Sequence, residues 1–122
     1  MKYLITAIIL ALGAMLMWFA ATAEAHGHYT GRTDPVTGNG CCGGNDCAPV
    51  PLAANWVRPV ADGFQVTLTV EQARAVNPNA ELPINVIVPW SRVMTLTGGP
   101  PAIYHLCIWD SQLKCLFVAS ST

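Results

Sequence analysis

The sequence predicts an all-β protein: a small disulfide-stapled barrel or sandwich with an irregular N-terminal arm, preceded by an N-terminal signal-peptide helix. Three observations carry this expectation. Beyond residue 52, short β-rich runs recur between turn signals with no long helical pattern. The stretch from His26 to Pro51 is dense in Gly, Pro, Asn and Asp. Five cysteines follow an apolar leader in a chain of 122 residues, where cross-links commonly supplement a modest core.

The leader comes first, MKYLITAIILALGAMLMWFAATAEA. Lys2 supplies a minimal positive start, Leu4 through Ala21 is apolar except for Thr6 and Gly13, and Ala23-Glu24-Ala25 forms an A-x-A cleavage site. Residues 1–25 therefore read as a secretory signal peptide cut after Ala25. The alternative is an uncleaved membrane anchor, since the run approaches the roughly 18 apolar residues at which a spanning helix becomes feasible. Small residues and the cleavage site favour the signal peptide. What remains, 26–122, is 97 residues, one domain made of a Cys-rich arm (26–51) and a small β domain (52–122). Six basic residues face seven acidic ones, for a formal net charge of −1. No basic patch for nucleic acid or anionic lipid is present, so a membrane is met only through an unprocessed leader. The expected location is periplasmic or secreted, with an envelope protein as one kind of partner.

Within the arm, Asp34-Pro35 and Asn39-Gly40 are turn signals. In the β domain, Trp56–Val60 and Phe64–Thr69 flank Ala61-Asp62-Gly63 and predict a hairpin. Thr69 and Gln72 have capping-box spacing, and Asn77-Pro78 stops what they start, so one helical turn is expected between them. Ile84–Trp90 predicts a strand with Ile84, Val86, Val88 and Trp90 on one face, Ile87 on the other, and prolines near both ends. Leu96–Ala102 reads as a loop through its Gly-Gly-Pro-Pro. Tyr104–Trp109 and Lys114–Val118 then form a closing hairpin around Asp110-Ser111-Gln112.

The cysteines are Cys41, Cys42, Cys47, Cys107 and Cys115. Only Cys42 with Cys47 falls within zinc-ligand spacing, and no second short pair follows; no C-x-x-C redox motif exists. An exported chain favours disulfides. Adjacent Cys41 and Cys42 are poor partners for each other, because neighbouring alpha-carbons lie about 3.8 Å apart, shorter than a relaxed disulfide spans. Five thiols cannot all pair within one chain, and the sequence does not say which is left over. Equidistant from Ser111, Cys107 and Cys115 are expected to bond across the closing hairpin. The alternative is that either one bonds Cys41, Cys42 or Cys47 and so staples the arm onto the sheet.

Other constellations carry less. After cleavage, His26-Gly27-His28 would present an α-amine and a third-position imidazole, a square-planar set suited to Cu(II) or Ni(II); a solvated tail is the simpler expectation, with no cofactor. His105 and Cys107 share a strand face, which suggests a buried histidine satisfied by a backbone carbonyl beside a disulfide rather than a ligand pair. Ser111-Gln112-Leu113-Lys114 has the S-x-x-K spacing of acyl-transfer enzymes but sits on a turn without companion motifs. Trp56, Trp90 and Trp109 are expected in the core rather than on a sugar-stacking face. Asp46, Asp62, Glu71, Glu81 and Asp110 fall in loops with no acid/base pairing, and no catalytic constellation is visible.

In order along the chain stand His26-x-His28-Tyr29, Cys41-Cys42 with Asp46-Cys47-Ala48-Pro49-Val50, Val86-Ile87-Val88-Pro89-Trp90, Tyr104-His105-Leu106-Cys107 and Cys115-Leu116-Phe117-Val118. This order resembles a group of small secreted proteobacterial proteins with an H-x-W-Y, C-C-x(3-4)-D-C, Y-H-x-C and C-terminal C-[LF]-[FY] pattern. His28 stands where that group tends to show Trp. The resemblance implies an exported, cysteine-stapled domain and supplies no reaction. The function expected is an exported, disulfide-stabilised binding or envelope-associated module of unknown ligand. Two alternatives are a periplasmic copper-binding protein using His26 and His28, and a thiol-dependent redox factor using the odd cysteine.

Overall fold

The structure, a computed structural model, describes residues 1–42, 46–99 and 101–120, with the helix path but not the side chains of residues 16–27. The loop glycines Gly43 and Gly44, Pro100 of the Gly-Gly-Pro-Pro turn, and the side chains of the expected cleavage site and of His26 lie outside the described residues. Helix α1 (Lys2–Gly27) spans the leader. Its described apolar side chains, Leu4, Ile8, Ile9 and Leu12 among them, are more than half exposed, so this first part of the helix buries none of them against the β domain. Among the described residues no helix is long and apolar enough to cross a membrane.

The rest is mostly strand. Strands β2 (Val57–Val60) and β3 (Gly63–Leu68) form the predicted hairpin with a two-residue turn, Ala61-Asp62. Gly63 is needed here, because a Cβ on it would lie 1.9 Å from the Val88 carbonyl oxygen of the neighbouring strand. Helix α2 (Val70–Val76) forms as expected. Thr69 Oγ1 accepts from the Gln72 amide at 3.2 Å, and Gln72 Oε1 accepts from the Thr69 amide at 2.9 Å. Asn77 ends the helix and donates its side-chain Nδ2 to the Ile108 carbonyl at 2.8 Å, pinning α2 to the other sheet.

Strand β4 (Ile84–Pro89) completes a three-stranded antiparallel sheet in the order β2-β3-β4. As its edge strand, β4 buries only Ile84 and Val88; Val86 is 40% exposed and Ile87 52%, so the predicted four-residue apolar face holds at two positions. A 3-10 turn (Trp90–Arg92) leads into β5 (Val93–Leu96), a strand within and before the stretch expected to be loop. Strands β6 (Tyr104–Trp109) and β7 (Gln112–Ala119) are the closing hairpin. Its turn is Asp110-Ser111, both at positive φ (52° and 53°), the backbone a two-residue hairpin demands. Lys114 is then the extra residue of a bulge, which restores Cys107 opposite Cys115.

The second sheet runs β1-β6-β7-β5, with β5 parallel to β7. Its edge strand β1 (Cys47–Pro49) comes from the arm, which is therefore not wholly irregular. The two sheets do not close into a barrel; Val66, Leu68 and Ile84 of one share a core with Leu106, Ile108 and Leu116 of the other, and with Ala73 and Val76 of α2. Two of the three tryptophans expected in that core are outside it: Trp90 is 53% and Trp109 59% exposed, and Trp56 is half-buried. Each exposed ring spends its apolar face locally instead. Trp90 packs edge-on against Phe64 at 5.0 Å, with its Nε1 donating to the Ala61 carbonyl, and Trp109 lies under the Lys114 ammonium at 5.5 Å.

Candidate functional site

A second buried cluster sits beneath the arm, and it gathers all five cysteines. Register explains the gathering. Cys47 on β1 lies opposite Cys107 on β6, and Cys107 lies opposite Cys115 on β7, so three sulfurs line up across three adjacent strands on one face. The arm delivers a fourth. Its turn is closed by the Asp34 amide donating to the Asn39 carbonyl and the Gly38 amide to the Asp34 carbonyl, both 2.8 Å, and the Cys41 amide then bonds the Arg32 carbonyl. The bonds formed are Cys41–Cys115 and Cys47–Cys107.

The expected Cys107–Cys115 bond is therefore corrected, although the two do face each other. Each instead takes a partner from the arm. Those bonds close spans of 74 and 60 residues where the hairpin bond would close only 8, and a longer closed loop removes more entropy from the unfolded chain. Cys41 and Cys42 are not bonded to each other, as their adjacency implied. Cys42 lies outside both disulfides; its thiol donates to Asp46 Oδ1 at 3.2 Å, and Cys47 Sγ is 4.0 Å from the same oxygen. Asp46, read from sequence as an unremarkable loop carboxylate, is almost wholly buried.

His105 is fully buried. Its Nδ1 meets the Tyr29 hydroxyl at 2.8 Å, a side-chain partner supplied by the arm. Burial, and then the nearby charge of Cys42, push the Tyr29 hydroxyl up to about 12, which keeps it protonated. The other ring nitrogen, Nε2, makes no hydrogen bond of good geometry among the described residues. Burial lowers the His105 pKa; the Ala102 carbonyl opposes this and a charge on His28 adds to it. His28, half-buried, caps the end of α1, while His26 lies in its last turn. Sequence reasoning missed the role of Tyr29, whose only signal was its place in the H-x-H-Y motif.

The arm is also held by charge. Asp34 Oδ1 accepts from the Val36 and Thr37 amides at 2.8 and 3.0 Å, and its Oδ2 accepts from Arg92 Nε at 2.7 Å. Burial acts to raise the Asp34 carboxyl, but the Thr37 amide, the Arg92 guanidinium and the Val36 amide outweigh it and hold the pKa below the ordinary value. Beside this pair a cleft of about 170 Å³ runs between Val86 and Ile87 of β4 and the Lys114–Cys115 stretch of β7. A larger one, about 370 Å³, lies between Asn77, Glu81 and Trp109. Ser111 of the S-x-x-K sequence accepts the Glu81 amide through its hydroxyl, and Lys114 Nζ bonds Gln112, so neither activates the other.

Among the described residues, one cluster has metal-ligand types within reach: Cys42, Asp46 and Cys47, whose ligand atoms lie within 4.8 Å of one another. With Cys47 committed to a disulfide, the set holds one thiol and one carboxylate, short of a closed tetrahedral site. What the arrangement can do chemically is thiol and disulfide chemistry. No protein-family model, curated protein or solved structure matches the chain.

Proposed function

We propose that this chain is exported, cut after Ala25, and serves in the periplasm or outside the cell as a disulfide-stabilised binding or envelope-associated module. The single observation that supports the reading most is the pair of nested disulfides tying the arm to the β6–β7 hairpin, since such bonds persist in oxidising compartments. An apolar α1 with its described side chains exposed suits a leader that is removed rather than an element of the fold. The order of motifs shared with small secreted proteobacterial proteins points the same way. The module would bind through exposed side chains such as Trp109 and Trp90, each more than half open to solvent.

The test is mass spectrometry of the product made from the full chain in an exporting bacterial host, with and without reduction and alkylation. The expected product begins at His26, is recovered from the periplasm or medium, and gains four alkyl groups only after reduction. A membrane-bound product retaining Met1 and Trp18 would replace this reading with that of an anchored protein.

A further inference from the structure

We propose that Cys42 and the Cys47–Cys107 disulfide form a thiol–disulfide exchange site. The inference goes beyond the binding-module reading and does not depend on it. It rests on placement. Cys42 Sγ and Cys47 Sγ lie within 4.8 Å of each other, Asp46 Oδ1 accepts the Cys42 thiol at 3.2 Å while remaining 4.0 Å from Cys47 Sγ, and Cys47 Sγ is 3.7 Å from the Cys41 carbonyl oxygen. The carboxylate thus holds the thiol beside the bond it would attack. Accessibility gives the reaction a direction: Cys42 and Cys47 are both half-buried and reachable, whereas Cys107 is fully buried.

The chemistry balances without an outside oxidant. Cys42 gives its proton to solvent, and the resulting thiolate attacks Cys47 Sγ. The Cys42–Cys47 bond forms as the Cys47–Cys107 bond breaks, the electron pair leaves on Cys107 Sγ, and Cys107 takes up a proton. One thiol and one disulfide exist before and after. The effect is to move the thiol from the surface of the arm to the middle of β6, and to leave Cys41–Cys115 as the last covalent bond between arm and sheet. The site therefore acts as a disulfide-exchange switch that loosens the arm without a net change in oxidation state.

Protein held at pH 4 is brought to pH 8, sampled over time, quenched in acid, unfolded with a maleimide present and mapped by peptide mass spectrometry. Label is expected on Cys42 at the start and partly on Cys107 later, with a matching Cys42–Cys47 peptide. The rate of transfer should rise roughly tenfold per pH unit while the thiol is mostly protonated, since the thiolate is the attacking form. Label confined to Cys42 at every pH and time overturns the proposal. In Cys42→Ala no label should reach Cys107; label there would trace the signal to incomplete oxidation and overturn it equally. In Cys107→Ala, Cys42 and Cys47 should be found bonded with Cys41–Cys115 intact, and two titratable thiols in a folded variant would count against the geometry. The wild-type map decides the matter even where a variant fails to fold.

Discussion

Reduction should unfold this protein and chelation should not. The size of the effect follows from the nesting of the two bonds. Cys41–Cys115 closes a span of 74 residues, for which chain-entropy reasoning gives about 4.4 kcal/mol. Cys47–Cys107 lies inside that closed loop, so what it newly fixes is the short ring running 41–47 and 107–115, roughly 15 residues and about 3 kcal/mol. Together they contribute about 7 kcal/mol, comparable with the roughly 5 to 15 kcal/mol that holds a whole domain together. Thermal melts of the processed protein, followed by tryptophan fluorescence and circular dichroism, are run with dithiothreitol, with EDTA and with neither. The expected result is loss of most of the cooperative transition with dithiothreitol and an unchanged midpoint with EDTA. A midpoint that falls with EDTA and holds with reductant would refute the reasoning and make Cys41, Cys42, Cys47 and His105 a metal site, because metal-binding free energy would then be folding free energy. A non-reducing peptide map showing Cys107–Cys115 would refute the magnitude separately, since that eight-residue loop is worth only about 2.5 kcal/mol by the same reasoning.

Three further outcomes are expected. Gly63→Ala should lower stability by about 3 kcal/mol or more in urea titration, because a methyl 1.9 Å from the Val88 oxygen forces β4 away from β3; an unchanged midpoint would mean the strands part at little cost. Tyr29→Phe leaves the buried His105 Nδ1 without its hydroxyl and should cost about 1–3 kcal/mol, and in the wild type stability should decline as pH rises from 10 towards the Tyr29 value of about 12. His105 and Asp34 both have pKa values lowered by folding, so the unfolded chain takes up their protons first; stability should fall as pH drops below 6.5 for His105 and again below 3.8 for Asp34, at up to about 1.4 kcal/mol per pH unit for each, with the second fall absent in Asp34→Asn.

Local chemistry was legible in the sequence wherever one short stretch decided the outcome. The Ala61-Asp62 turn, the Thr69–Gln72 capping box, the Asn77 stop and the β6–β7 register with Cys107 facing Cys115 all follow from residues within eight positions of one another. What was not legible depends on distant partners. β1 and β5 are short and become strands only because β6 and β7 offer them edges, one antiparallel and one parallel. The disulfide connectivity was missed for the same reason, since facing across a hairpin permits a bond without requiring it. The exposure of Trp90 and Trp109 shows the limit of reading large apolar residues as core: both stand at strand ends, where the core has already run out. Cys42 with Asp46 and Tyr29 with His105 became recognisable as units only when the arm folded back over β6 and β7.

The Cys41–Cys115 bond also decides how the domain would carry tension. A pull applied between the start of the arm and the end of β7 runs through residues 28–41, across the sulfur bridge, and out through residues 115–120, bypassing the β2-β3-β4 sheet and entering the other only along the end of β7. Apart from the pairing of that last stretch of β7, the hydrogen-bonded ladders then lie off the load path, and the 74-residue span between the bridged cysteines, about 260 Å if drawn out fully, stays slack behind a covalent clamp. Cutting that bridge alone would pass the load to Cys47–Cys107 and lengthen the path only by residues 41–47 and 107–115; only with both bonds reduced would β5–β7 and β1–β6 pairing carry it, so the two bonds together set whether the domain behaves as an inextensible link or as an unfolding spring.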